Sequence, residues 1–257
     1  MRSFRGVSET EKSLILDEYF SARRGVLRIS ECRLRLGDGL WKFSAERAGE
    51  IAAHWQRRQA ESPALFDGRV LMMRPPTISE HVLSAELVGV DFKSYLYWRD
   101  NGFPEADLFD GFGSALIRSA EGHVLLGRQR GGNINAGLAY LPGGFIDGRD
   151  VRSDGAVDIA ASIAREVAEE TGLGADSFTR VPGYIITVCG AQVSIAVEYR
   201  SALPAEELRK LILSGIGTQD EPELDDVVIV TGTAAAETEN LAEYVRVLLP
   251  AVFSAQP

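Results

Sequence analysis

Apolar and polar residues alternate over residues 26–36, where Leu27, Ile29, Cys32, Leu34 and Leu36 are separated by arginine and glutamate. The period of two breaks between Ile29 and Cys32, which predicts a bulged strand or two short strands. Helical spacing follows over 45–58, where Ala48, Ile51, Ala52 and Trp55 share a face. Strands are predicted over 70–73 and 82–88, with helices over 11–20 and 92–99. Asn101-Gly102-Phe103-Pro104 breaks the pattern. A fresh strand pair then begins, 113–118 and 123–128, joined by the turn Ala120-Glu121-Gly122. Residues 138–141 lead into the double glycine Gly143-Gly144, and further strands are predicted at 184–188, 193–199 and 227–230. Helices are predicted over 157–171, 204–213 and 234–248. The buried stripe of the first of these is Ile159, Ala160, Ile163, Ala164 and Val167, with Ser153 or Asp154 as its cap and Gly172 as its end. Strands interleaved with helices describe a mixed α/β fold. The breaker divides it into an N-terminal α+β unit, 1–109, and a second unit, 110–257.

The 257 residues suffice for two modest cores, and 45% apolar content fits a globular chain. A net charge of -10 argues against a nucleic-acid backbone or an anionic membrane as the main partner. Cys32 and Cys189 lack metal-site spacing and read as core thiols in a reducing, cytoplasmic setting. Neither a signal peptide nor a membrane span is expected.

The helix over 157–171 carries the chemistry. Glu166, Glu169 and Glu170 fall at i, i+3 and i+4, on one helix face, where like charges repel. A hard divalent cation such as Mg²⁺ or Mn²⁺ takes carboxylate oxygens and leaves room for water and phosphate. Upstream, Leu141-Pro142-Gly143-Gly144 is a tight, side-chain-free approach. These residues point to metal-assisted hydrolysis of a phosphate-containing substrate.

Arg165-Glu166-Val167-Ala168-Glu169-Glu170-Thr171-Gly172-Leu173 resembles the second half of the Nudix hydrolase signature at every fixed position, and Gly144 matches its opening glycine. Asp150 stands where that family has its first glutamate. Fourteen residues separate Asp150 from Arg165 instead of the family's seven, so the loop carries an apparent insertion, and Asp158 is a second candidate for the displaced acid. The resemblance implies an α/β/α sandwich and hydrolysis of a nucleoside diphosphate linked to another moiety. It further implies Glu166 and Glu170 as principal metal ligands, Glu169 as a third ligand or base, a backbone carbonyl near Gly144 completing the coordination, and Arg165 as a structural partner of a loop acid. A looser resemblance joins Ser62-Pro63-Ala64-Leu65-Phe66-Asp67-Gly68 and Leu87-Val88-Gly89-Val90-Asp91-Phe92-Lys93-Ser94-Tyr95 to the divergent branch that includes animal uridine diphosphate glucose pyrophosphatase.

Arg128 and Arg130 are candidates to face phosphate oxygens, for which fork-shaped donors are suited, and are otherwise surface residues. Phe145 and Tyr184 are core residues or stack on a base. Glu221 and Glu223 belong to an acidic loop that reads as solvent-facing, or, as the resemblance to the Nudix family implies, supplies a base or further ligand. A nucleotide sugar is the leading substrate. A dinucleotide or coenzyme diphosphate is the enzymatic alternative, and a non-catalytic nucleotide-binding regulatory module is the alternative of a different class. A homodimer is left open.

Overall fold

The computed structural model describes residues 23–104, 107–132 and 134–254, so the helix expected over 11–20 lies outside the described residues. The broken alternation resolves into two strands, β1 (Arg24–Ile29) and β2 (Glu31–Leu36). They enter different sheets. β1 pairs antiparallel with β12 (Tyr184–Cys189), while β2 runs parallel to β5 (Val82–Asp91). Ser30 is the point of departure: its N–H and its hydroxyl both donate to the His81 carbonyl, at 2.8 and 3.1 Å.

The smaller sheet runs β10 (Ala156–Val157), β2, β5, β3 (Arg69–Met73), with β4 (Thr77–Ser79) also on β5. Three helices belong to the same part of the chain, α1 (Lys42–Glu46), α2 (Ala48–Glu61) and α3 (Phe92–Asp100). Their core is aromatic: Trp41 stacks on Phe43 at 4.5 Å and meets Trp98 edge-on at 5.6 Å. The apolar stripe expected on α2 is corrected. Ile51 and His54 are its buried residues, Trp55 is half-buried, and Ala48 and Ala52 are exposed. His54 is retained inside because its Nε2 meets the Asp100 carboxylate at 3.0 Å.

The larger sheet runs β1, β12, β13 (Gln192–Arg200), β6 (Asp110–Arg118), β7 (Val124–Gln129), β14 (Leu224–Val230). β13 and β6 are parallel and β6 sits at the centre. The short strands β8 (Ala139–Tyr140) and β9 (Gly143–Phe145) pair with β7 and β6, and β11 (Thr179–Arg180) pairs with β13. Successive residues of a strand face opposite sides. A side chain at Gly113 would strike Ile163 of α4 (Ile159–Thr171), whereas Phe112 packs on Tyr244 of α7 (Glu243–Phe253) at 5.0 Å. Helices therefore cover both faces, as an α/β/α sandwich requires, with α5 (Ala205–Ile216) beside α4.

The closing helix expected over 234–248 is two helices, α6 (Thr233–Thr238) and α7. Residues 239–242 leave helical geometry because Ala139 bonds them instead, donating to Asn240 at 2.8 Å and accepting from Ala242 at 3.0 Å. The two parts of the chain also exchange strands. Residues 24–29 lie at the edge of the large sheet, and residues 156–157 extend the small one by pairing with Leu34 and Arg35. A bridge between Met73 and Phe109 joins them again. Among the described residues no helix is long and apolar enough to cross a membrane, and Cys32 and Cys189 are free thiols.

Candidate active site

The chain between β9 and α4 doubles back. A 3₁₀ turn at Gly148–Asp150 is followed by a bridge between Val151 and Val157, and Arg152 N–H donates to Ala156 O at 2.8 Å. α4 therefore starts late, and its cap is Asp158, which accepts from Ala161 N–H at 3.1 Å. This corrects the expected cap at Ser153 or Asp154. Asp154 instead closes the preceding turn by accepting from Ala156 N–H at 3.0 Å. At the other end Gly172 takes φ of 70°, with Gly215 Cα 2.8 Å from the point where a side chain would begin.

Ile159, Ile163 and Val167 anchor α4 in the core, which sets Glu166 and Glu170 toward the glycine strand β9. Glu170 is 4% exposed. It accepts from Gly143 N–H at 2.9 Å and from the Tyr140 hydroxyl at 3.4 Å. Glu166 lies against Gly144, its Oε2 2.8 Å from where a Cβ would stand. Gly143 has φ of 157°, and a Cβ there would meet the Gly113 carbonyl oxygen at 2.2 Å. Gly143 is thus required for space, whereas at Gly144 only the Glu166 carboxylate would have to give way.

The acids affect one another. Burial first, then the charges of Glu223 and Glu166, hold the Glu170 carboxyl well above its ordinary value. Burial raises Glu166 too, opposed by Arg165. Arg165 spans the cluster, with Nη1 2.7 Å from Asp150, Nη2 3.1 Å from Glu166 and Nε 3.8 Å from Glu169. Asp150, whose carboxylate is fully buried, is therefore the acid that meets Arg165. Asp158 pairs with Arg152 instead. Glu169 is exposed.

Among the described residues no three His, Cys, Asp or Glu side chains enclose an ion as they stand. The donor set nevertheless fits a hard cation. Glu166 and Glu170 are oxygen donors from one helix face, both with raised proton affinity, and exposed Glu169 can turn toward them.

Beside Gly143 and Gly144 lies a cavity of about 360 Å³. Phe145 and Glu223 line it, joined by groups the sequence did not single out: Tyr95 and Arg99 from α3, Asp110, and Gln192. The other candidates stand apart from its lining. Arg128 is engaged with Glu239 at 2.9 Å and with the Gly137 carbonyl at 3.1 Å. Arg130 and Glu221 are exposed. Tyr184 opens β12 opposite Ile29, with the Arg180 guanidinium 5.7 Å above its ring. Tyr140, which touches Glu170, carried no signal beyond its place two residues before Pro142.

A sequence model of the NUDIX domain matches residues 109–243. The chain belongs to the NUDIX family. It is a Nudix-type pyrophosphohydrolase acting on nucleoside diphosphate derivatives, and enzymes of this family generally use divalent metals. A search of curated proteins finds no match. Among solved structures, the chain is similar to a Nudix hydrolase from M. smegmatis, with 18% identity over 58% of this chain and 91% of that one and a TM-score of 0.40. It is similar to a MutT protein from Methanosarcina mazei, with 24% identity over 57% and 91% and a TM-score of 0.36. It also resembles a bifunctional NMN adenylyltransferase/ADP ribose pyrophosphatase from Francisella tularensis, with 16% identity over 63% of this chain, 44% of that one and a TM-score of 0.40.

Proposed function

We propose that this Nudix enzyme hydrolyses nucleotide sugars with Mg²⁺ or Mn²⁺. The observation that carries the metal reading is the pair Glu166 and Glu170, pressed against the backbone of Gly144 and Gly143, which line the cavity. Glu166, Glu170, Glu169 and the Gly144 carbonyl would hold a divalent ion, which would supply charge neutralisation at the diphosphate and a lowered pKa for a coordinated water. Arg165, held by Asp150, keeps Glu166 aimed at the glycine strand. Tyr140 and Gly143 N–H orient Glu170. Glu223, at the cavity wall, or Glu169 takes the proton of the attacking water.

The sugar reading rests on the size of the cavity and on its second wall, supplied by α3 of the N-terminal part. That wall recognises more than a bare diphosphate. It also supports dividing the chain functionally near residue 110, with the N-terminal part shaping the pocket. The test is release of phosphate, coupled through a phosphatase, over nucleotide sugars and dinucleotides. Turnover of a nucleotide sugar at least about tenfold above the dinucleotides in kcat/KM supports the reading. Preference for dinucleotides overturns the sugar assignment, and no turnover of either class overturns the catalytic one.

A further inference from the structure

Asp110 stands at the far end of the cavity from the glutamates. It opens β6 three residues before Gly113, the partner of Gly144, which is about 10 Å at roughly 3.3 Å per residue. Asp110 is 3% exposed and lines the cavity. Tyr95 hydroxyl and Gln192 amide both donate to the same oxygen, Oδ2, at 3.0 and 3.1 Å. The second oxygen, Oδ1, is not among the enclosed unpartnered side-chain atoms of the described residues, which fits an oxygen open to the cavity. The wall beside it is aromatic: Phe145 meets Tyr95 edge-on at 4.9 Å, and Phe103 and Phe112 also border the space.

A carboxylate oxygen open to the cavity is costly to cover with an apolar group. Planar walls suit a flat ring. A carboxylate oxygen accepts and never donates, so it favours a ring edge bearing N–H and opposes one bearing a lone pair. The separation from Gly144 leaves room for ribose and one phosphate between such a ring and the glutamates.

Building on the nucleoside-diphosphate reading, we propose that Asp110 is the specificity-determining residue of the cavity, accepting a hydrogen bond from the ring N–H of a nucleobase held against the Tyr95–Phe145 wall. Uracil and guanine carry that N–H, whereas adenine and cytosine do not. Tyr95 and Gln192 are positioning residues that fix the carboxylate. Burial favours its protonated form, opposed by these two donors and by the charge of Arg99. A ligand N–H would therefore add to the groups that keep it ionised.

The test is calorimetric binding of UMP, GMP and their ring-methylated counterparts, N3-methyl-UMP and N1-methyl-GMP, to the full chain with Mg²⁺. At least one parent should bind about tenfold or more tightly than its methyl derivative. Asp110→Asn should weaken that parent and bring the pair within about threefold. Tyr95→Phe, which keeps the ring and removes the hydroxyl, serves in its place if Asp110→Asn does not melt cooperatively, and should narrow the same gap. Equal binding of parent and methyl derivative in both pairs, binding of neither, or a gap that survives these substitutions overturns the proposal. The readout is binding, so failure of nucleotide sugars as substrates would leave it standing.

Discussion

The two ends of α4 hold the same kind of side chain in opposite states. At the N-terminus Asp158 accepts from a helix N–H, and its proton affinity falls. Toward the C-terminal end Glu170 is buried and Glu166 half-buried, each carrying charge that acts on the other, and theirs rises. The helix dipole favours the first arrangement and disfavours the second. A carboxylate at the N-terminus thus stabilises the helix as it is. Carboxylates at the other end are an unfavourable arrangement that the proposed cation would relieve.

The strongest way to break this comparison is to neutralise the crowded end. Glu166→Gln and Glu170→Gln should each reduce turnover by about 10²-fold or more, while metal-free thermal stability holds or rises slightly. Gln keeps the shape and removes the charge. Steady-state hydrolysis across a Mg²⁺ titration, beside melting without metal, measures both. Near-normal turnover of both variants at limiting and saturating Mg²⁺ would falsify the role given to that end.

The glycines facing it separate backbone need from carboxylate need. Gly143→Ala should cost about 2 kcal/mol or more of stability, because its φ of 157° disfavours a side chain and its neighbour is the Gly113 carbonyl. Gly144→Ala should fold nearly normally, because only the Glu166 carboxylate stands in its way. It should lose about tenfold in turnover by displacing that group. Denaturant unfolding and kinetics on both variants check the pair. The reverse ranking in stability would count against the geometry.

Which parts were legible follows from how local their cause is. The carboxylate face of α4 and its glycine end depend on spacing within one helix, and Arg165 to Leu173 displayed them directly. The sandwich was legible because each strand and helix carried its own period. The Asp110 group was not, because Tyr95, Asp110 and Gln192 come from α3, β6 and β13 and meet only through the parallel pairing that sets Gln192 opposite Asp110. Arg128 looked free for phosphate because Glu239, its partner, follows a helix more than a hundred residues away. The choice between Asp150 and Asp158 for Arg165 likewise depended on the doubled-back loop, which no period encodes.

The smallest expected effect sits at the satisfied end. Asp158→Ala removes a cap and should cost about 1 kcal/mol at neutral pH. Its proton affinity is lowered first by the Ala161 N–H, with burial opposing and Arg152 assisting. A carboxyl whose folded value lies below its ordinary 3.8 contributes stability that is present above 3.8 and lost as pH falls through the folded value. The gap between wild type and Asp158→Ala, measured by urea unfolding, should therefore be full at pH 7 and close below about pH 3.8. Glu170→Gln should behave oppositely in the metal-free protein. Glu170's folded value is raised, so wild-type stability declines as pH rises above its ordinary 4.5 toward that value, and the variant should lack this decline. Parallel slopes for the two variants would mean that the two ends of α4 do not differ electrostatically, and that the crowding at Glu166 and Glu170 is relieved by something other than a cation.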